Sequence, residues 1–137
     1  MAYRTRLTLR FGDLDPAGIV YYPRYLHFCH IAMEEYFREA LGRPYPEVLA
    51  EDDFGLPAVK LEVEFARPFR YGDAMEIEVR VLAIGETSMT WGYDLYAAGE
   101  PEPRTRARVV TVGLIMSRFE KRRIPDWIRE RVPLTAT

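Results

Sequence analysis

The chain is predicted to be an α+β domain, with one long apolar helix packed on a five-stranded antiparallel sheet. Three observations carry that reading. One stretch, residues 24 to 41, has apolar residues at three- and four-residue steps. Five other stretches alternate apolar and polar residues with period two. The connections between successive members of that strand set are short and rich in Gly and Pro, as antiparallel neighbours require.

The first strand runs from Arg4 to Phe11, where Leu7, Leu9 and Phe11 alternate with Arg6, Thr8 and Arg10. A Pro/Gly turn follows, and Pro23 suits the first position of a helix, where its missing N–H costs nothing. From Arg24 to Leu41 the apolar stripe is Leu26, Cys29, Met33, Phe37 and Leu41, widened by Phe28, Ile31 and Ala32. A helix apolar over so much of its girth is expected to be largely enclosed. Gly42, with Pro44 beyond it, is a natural stop.

Residues 43 to 57 carry Pro44, Pro46, Pro57 and the acidic Glu51-Asp52-Asp53, and read as a long connection with about one helical turn. The remaining strands centre on Leu61, Val63 and Phe65; on Met75 to Val81; on Met89 to Leu95; and on Arg104 to Met116. Lys60, Glu62, Glu64, Glu76, Glu78 and Arg80 fall on the outward face, which is expected to be solvated. With no second helix expected to cover the sheet edges, pairing between copies is the expected remedy. At least a homodimer is therefore anticipated.

Composition narrows the function. A chain of 137 residues is one domain, taken as residues 1–137, and buries about two-thirds of its unfolded surface. A net charge of −2 gives no support for bulk electrostatic binding of nucleic acid. The single Cys29 excludes an intrachain disulfide and a multi-cysteine zinc site, and reads as a small buried apolar residue. No stretch approaches the ~20 apolar residues of a membrane span, and the N-terminus lacks an apolar signal core. A cytoplasmic protein is expected. The sequence contains no Asn and no Gln but has 10 Pro, which fits a thermophilic source. It also means that no side-chain carboxamide is available as an oxyanion donor.

The segment Phe11-Gly12-Asp13-Leu14-Asp15-Pro16-Ala17-Gly18-Ile19-Val20-Tyr21-Tyr22-Pro23 holds the chemistry. It sets a carboxylate in a turn just ahead of a helix start, where unpaired N–H groups carry a partial positive charge. Such donors can hold a carbonyl oxygen as it turns negative. Pro23 has no N–H, so Tyr22 is the last donor before the helix, and Gly18 lets the chain bend closely around an acyl group. Read alone, Asp15 is first an ordinary Asp-Pro turn residue satisfied by its own backbone. Asp13 reads as support for the turn.

The run Gly12 to Tyr25 resembles the active-site segment of the hot-dog-fold thioesterases of the 4-hydroxybenzoyl-CoA thioesterase type, and a weaker likeness extends over nearly the whole chain. The resemblance implies a hot-dog fold, with the long helix wrapped by the sheet, and active sites at the interface of a homodimer or dimer of dimers. It implies an acyl-CoA thioesterase with Asp15 as nucleophile or general base and the Tyr22 backbone N–H polarising the thioester carbonyl. Where the family carries a carboxylate that recognises the substrate's phenol, this chain has His30, which argues against the 4-hydroxybenzoyl group itself. His30 is then either a substrate contact or a core or interface histidine. Tyr21, Tyr25 and Phe28 are candidates to line an acyl pocket, against the plainer reading of core packing. Lys121-Arg122-Arg123, with Arg118 nearby, are candidates for the CoA phosphates, against a solvated charge run. The turn Gly85-Glu86-Thr87-Ser88, where the family keeps basic residues, has none.

His27 and His30 with Asp15 imitate a metal set only weakly, so neither metal nor cofactor is expected. The rival readings are a dehydratase of 3-hydroxyacyl carriers, catalysis by Glu34 or Glu35 on the helix, hydrolysis of an acyl-carrier-protein thioester, and a non-hydrolytic acyl-CoA-binding or partner-docking domain.

Overall fold

The computed structural model describes residues 2–134. Strand β1 (Tyr3–Thr8) is shorter than its alternation suggests, because Asp13 closes the chain into a single 3-10 turn at Phe11–Asp13. Asp13 Oδ2 accepts the Arg10 N–H at 2.8 Å, and the Asp13 N–H donates to Arg10 O at 2.9 Å. Helix α1 (Arg24–Glu35) continues into wider π-type turns at Tyr36–Leu41, so the helical run spans the predicted residues 24 to 41. Gly42 ends it at φ 79°, a left-handed value that glycine adopts without a steric penalty. Tyr25, Phe28, Cys29, Ala32, Met33, Tyr36 and Phe37 are buried, as the wide apolar stripe requires.

The expectation of a single helix is corrected. Helix α2 (Tyr45–Asp52) occupies most of the segment read as a connection, with Pro46 in a first turn that needs no N–H there. Tyr45 and Val48 anchor it in the core, and the Tyr45 hydroxyl accepts the Leu56 N–H at 2.8 Å. Arg43 ties down the acidic run at 2.7 Å from Asp52 and 3.2 Å from Glu51. A third helix, α3 (Asp126–Arg131), follows Pro125 and buries Ile128.

Strand β2 (Phe54–Gly55) precedes β3 (Ala58–Phe65), β4 (Ala74–Ile84), β5 (Ser88–Ala97) and β6 (Thr105–Val112). The main sheet is antiparallel with order β1-β4-β5-β6-β3, so β3 crosses to an edge beside β6 instead of pairing with β4. The chain belongs to the hot-dog class of α+β folds, with α1 against the inner face. Trp91, Phe28, Phe37, Met75, Ile77, Met89 and Leu95 fill the space between them.

The outer face is less simply solvated than expected. Glu62 and Glu64 on β3 are exposed, but Glu76, Glu78 and Arg80 are partly covered and locked in cross-strand ion pairs. Arg6 meets Glu76 at 2.7 Å, Arg4 meets Glu78 at 3.2 Å, and Arg80 meets Asp94 at 2.7 Å.

The last predicted strand is broken at Gly113. A Cβ there would lie 2.9 Å from both Arg122 O and Phe54 Cε1, so the chain turns tightly against its neighbours. Beyond it, β7 (Leu114–Ile115) and β8 (Glu120–Lys121) join β2 in a second sheet of three strands.

Candidate active site

The turn ahead of α1 is a small hairpin. Leu14 pairs with Val20, Ile19 bridges to Arg70, and the Val20 N–H donates to Phe69 O at 2.9 Å. At its tip Gly18 takes φ 81°, which a side chain would strain, and its N–H donates to Asp15 O at 2.9 Å. Asp15 is half-buried. Its Oδ1 accepts the Ala17 N–H at 2.8 Å, while Oδ2 has no protein partner among the described residues. The local bond is the one that the ordinary-turn reading calls for. It also fixes the carboxyl plane and leaves one oxygen open.

Pro23 stands just before α1 with helical backbone angles, so the helix begins one residue later than predicted. The Tyr21 N–H donates to Asp13 O at 2.8 Å, whereas the Tyr22 N–H has no partner among the described residues. Asp15 and this free donor thus stand in one loop, pinned to the same end of the sheet as Phe65 and Phe69. Tyr21 and Tyr22 are exposed and meet edge to face at 5.5 Å. Tyr25 is 3% exposed and packs on Phe65 and Phe69, with burial raising its phenol pKa; Phe28 is likewise a core residue.

A markedly apolar cavity lies elsewhere. About 390 Å³ opens between α1, α2, β3 and β6, walled by Leu26, Met33, Leu49, Leu56, Val109 and Met116. His30 stands on its rim, with Nε2 3.2 Å from Glu34 Oε1. Cys29 and Tyr93 also line it; burial pushes the Cys29 thiol up to about 12, so it is a neutral, buried group. Asp15, Gly18 and Tyr22 are not among the lining residues. His27 faces a different groove, between α1 and β1, so the two histidines do not converge. Among the described residues, no three of His, Cys, Asp or Glu gather as a metal site would need.

The basic run is divided. Lys121 is exposed on β8, and Arg118 is 3.8 Å from Glu120. The Arg122 guanidinium sits 5.4 Å over the Phe54 ring, and Arg123 is 3.3 Å from Glu86 and also pairs with Asp126. Arg129, which the sequence did not single out, donates to Gly85 O at 2.6 Å and Glu86 O at 3.0 Å. The turn that lacks a basic residue in sequence therefore receives two from the C-terminal segment. The clue available in sequence was only the density of Arg after residue 117.

A sequence model of the Thioesterase-like superfamily matches residues 9–132. The 1,4-dihydroxy-2-naphthoyl-CoA hydrolase of Synechococcus elongatus is 29% identical over 135 residues, covering 98% of this chain and 97% of that protein. The protein of the same name from Nostoc punctiforme is 30% identical over 128 residues, covering 93% and 84%. Among solved structures, a 1,4-dihydroxy-2-naphthoyl-CoA thioesterase from Synechocystis superposes with a TM-score of 0.86 at 20% identity, covering 96% of each chain.

Proposed function

Because the chain belongs to the Thioesterase-like superfamily and is a thioester hydrolase of hot-dog fold, we propose that it hydrolyses an aromatic acyl-CoA, with Asp15 as the catalytic carboxylate. The observation that carries the mechanism is the pairing, in one loop, of a half-buried carboxylate with one open oxygen and an unpaired N–H at the start of α1. The Tyr22 N–H donates to the thioester carbonyl oxygen and gains strength as that oxygen becomes negative. Asp15 Oδ2 then either attacks the carbonyl carbon, expelling the CoA thiolate and leaving a mixed anhydride for water to open, or takes a proton from an attacking water. Either route ends in free acid and CoA.

The acyl group is proposed to enter the apolar cavity, whose walls and volume of about 390 Å³ suit a flat ring system. The names of the relatives point the same way. In a single chain the cavity lies toward the Ala58 end of β3 and Asp15 toward the Phe65 end. Strand β3 has an unpaired edge and exposes Val59, Leu61 and Phe65, which favours pairing with a second copy. Antiparallel pairing of two β3 edges sets each Asp15 beside the other copy's cavity. A homodimer is therefore proposed as the working unit.

The exposed ammonium of Lys121, with Arg118 and Arg122, is proposed to meet the CoA phosphates. A thiol-release assay over aromatic, short and long acyl-CoAs tests the whole reading. Release that is fastest with aromatic thioesters and lost in Asp15→Ala supports it; aromatic thioesters left intact by the wild type overturn it.

A further inference from the structure

We propose that the Tyr93 hydroxyl is the group that selects acyl chains carrying a hydroxyl on their ring. The inference rests on the cavity being the acyl pocket. Tyr93 is 3% exposed and lines that cavity, yet its hydroxyl has no hydrogen-bond partner among the described residues. The hydroxyl is not one of the fully enclosed, unpartnered polar atoms, so it opens onto the cavity, and a ligand that displaces water there must satisfy it.

Of the other polar groups of the cavity, Tyr45 and Thr111 are already engaged. Tyr45 accepts from the Leu56 N–H at 2.8 Å. Thr111 Oγ1 accepts from Trp91 Nε1 at 3.0 Å and donates to Met89 O at 3.3 Å. His30 on the rim is directed to Glu34. Cys29 offers only a thiol, a weak partner at best.

The Tyr93 ring is held firmly enough to discriminate. It stacks on Trp91 with centroids 6.4 Å apart and planes 11° apart, and its strand is paired on both sides, opposite Val79 and Ala107. Burial raises its phenol pKa well above the ordinary value, so it stays protonated and can both donate and accept. A ring hydroxyl arriving here exchanges a hydrogen bond with water for one with Tyr93. A bare ring leaves Tyr93 unsatisfied, the asymmetry by which buried polar groups reject analogues.

The test compares wild type with Tyr93→Phe, which keeps the ring and removes only the oxygen. Two substrate pairs are used: 1,4-dihydroxy-2-naphthoyl-CoA with 2-naphthoyl-CoA, and 4-hydroxybenzoyl-CoA with benzoyl-CoA. The expected result is a fall of about tenfold in kcat/KM for the hydroxylated member of at least one pair, and less than about twofold for its bare partner. A parallel titration of the corresponding free acids, followed by Trp fluorescence, reads recognition without turnover. There the variant is expected to weaken only the hydroxylated acid. Equal effects on both members, no effect on either, or a wild type that binds none of the acids overturns the role of Tyr93. A wild type that binds the hydroxylated acid through Tyr93 but cleaves no thioester overturns the hydrolase reading and leaves Tyr93 standing.

Discussion

Ala17 donates its backbone N–H to Asp15 Oδ1 at 2.8 Å, two residues along the same turn. This bond holds the carboxyl group still and leaves Oδ2 open. If that oxygen does the chemistry, Asp15→Ala lowers kcat by at least about 100-fold while the thermal midpoint changes little. Parallel thiol-release and melting measurements check it. Retained hydrolysis in a folded variant would mean that another carboxylate acts.

The proposed β3 pairing puts each site across two chains, which a mixing experiment reads directly. Asp15→Ala and Leu26→Trp, the second chosen to fill the cavity, are each expected to be inactive as homodimers. Mixed and allowed to exchange, they should recover about a quarter of wild-type activity, because half the dimers then hold one intact site. No recovery, with exchange verified by mass spectrometry, would mean that carboxylate and cavity work within one chain.

Charge on the edge strand offers a second check. Leu61 is 48% exposed on β3, the edge strand beside β6. Leu61→Arg is expected to yield a monomer in sedimentation velocity and to lose hydrolysis at the same protein concentration. An active monomer would contradict a shared site.

Lys121 is exposed and stands clear of the ion pairs that occupy Arg123. Lys121→Glu should raise KM for an acyl-CoA several-fold with kcat unchanged, and the effect should shrink as salt rises. The matching acyl-pantetheine, which has no phosphates, should show no change. A KM increase shared by both thioesters would assign Lys121 to something other than phosphate.

Two aspartates should tilt the stability curve in opposite directions. The Arg43 hydrogen bond and charge hold the Asp52 carboxyl below its ordinary pKa of 3.8. Its contribution is therefore complete above that value and is lost as pH falls through the lowered pKa. Burial raises the Asp94 carboxyl against the opposing pull of Arg80, so its contribution is complete at low pH and lost as pH rises through the raised pKa. Urea denaturation across pH should show a flatter acid limb in Asp52→Asn and a smaller decline toward neutrality in Asp94→Asn. Unchanged slopes in both would rule these groups out as the source.

Much of the fold was legible because periodicity reports burial directly. Cys29, Met33, Phe37 and Leu41 marked the buried stripe of the helical run, with Leu26 only partly covered, and Met75 to Val81 marked the inward face of β4. Gly42 marked the helix end, since a left-handed residue there favours glycine. The breaks came where a local signal had two readings. Pro44 and Pro46 looked like loop residues, yet a first helical turn tolerates them, and Tyr45 and Val48 had core to bury against. Gly113 lay inside an apolar run, and only the nearness of Phe54 and Arg122 shows why the chain must bend there.

By itself the sequence determined the turn around Asp15, the missing N–H at Pro23 and the inner face of the sheet, because all three follow from a residue's own chemistry or from neighbours within a few residues. Only the tertiary structure decided which apolar side chains enclose a cavity, that His27 and His30 face different grooves, and that Arg123 and Arg129 reach the turn at Gly85. It also turned the Tyr93 hydroxyl to the cavity without a protein partner among the described residues, while Tyr45 and Thr111 have partners. Those outcomes depend on contacts between residues far apart in the chain, where small differences in packing choose among partners that local pattern treats as equal.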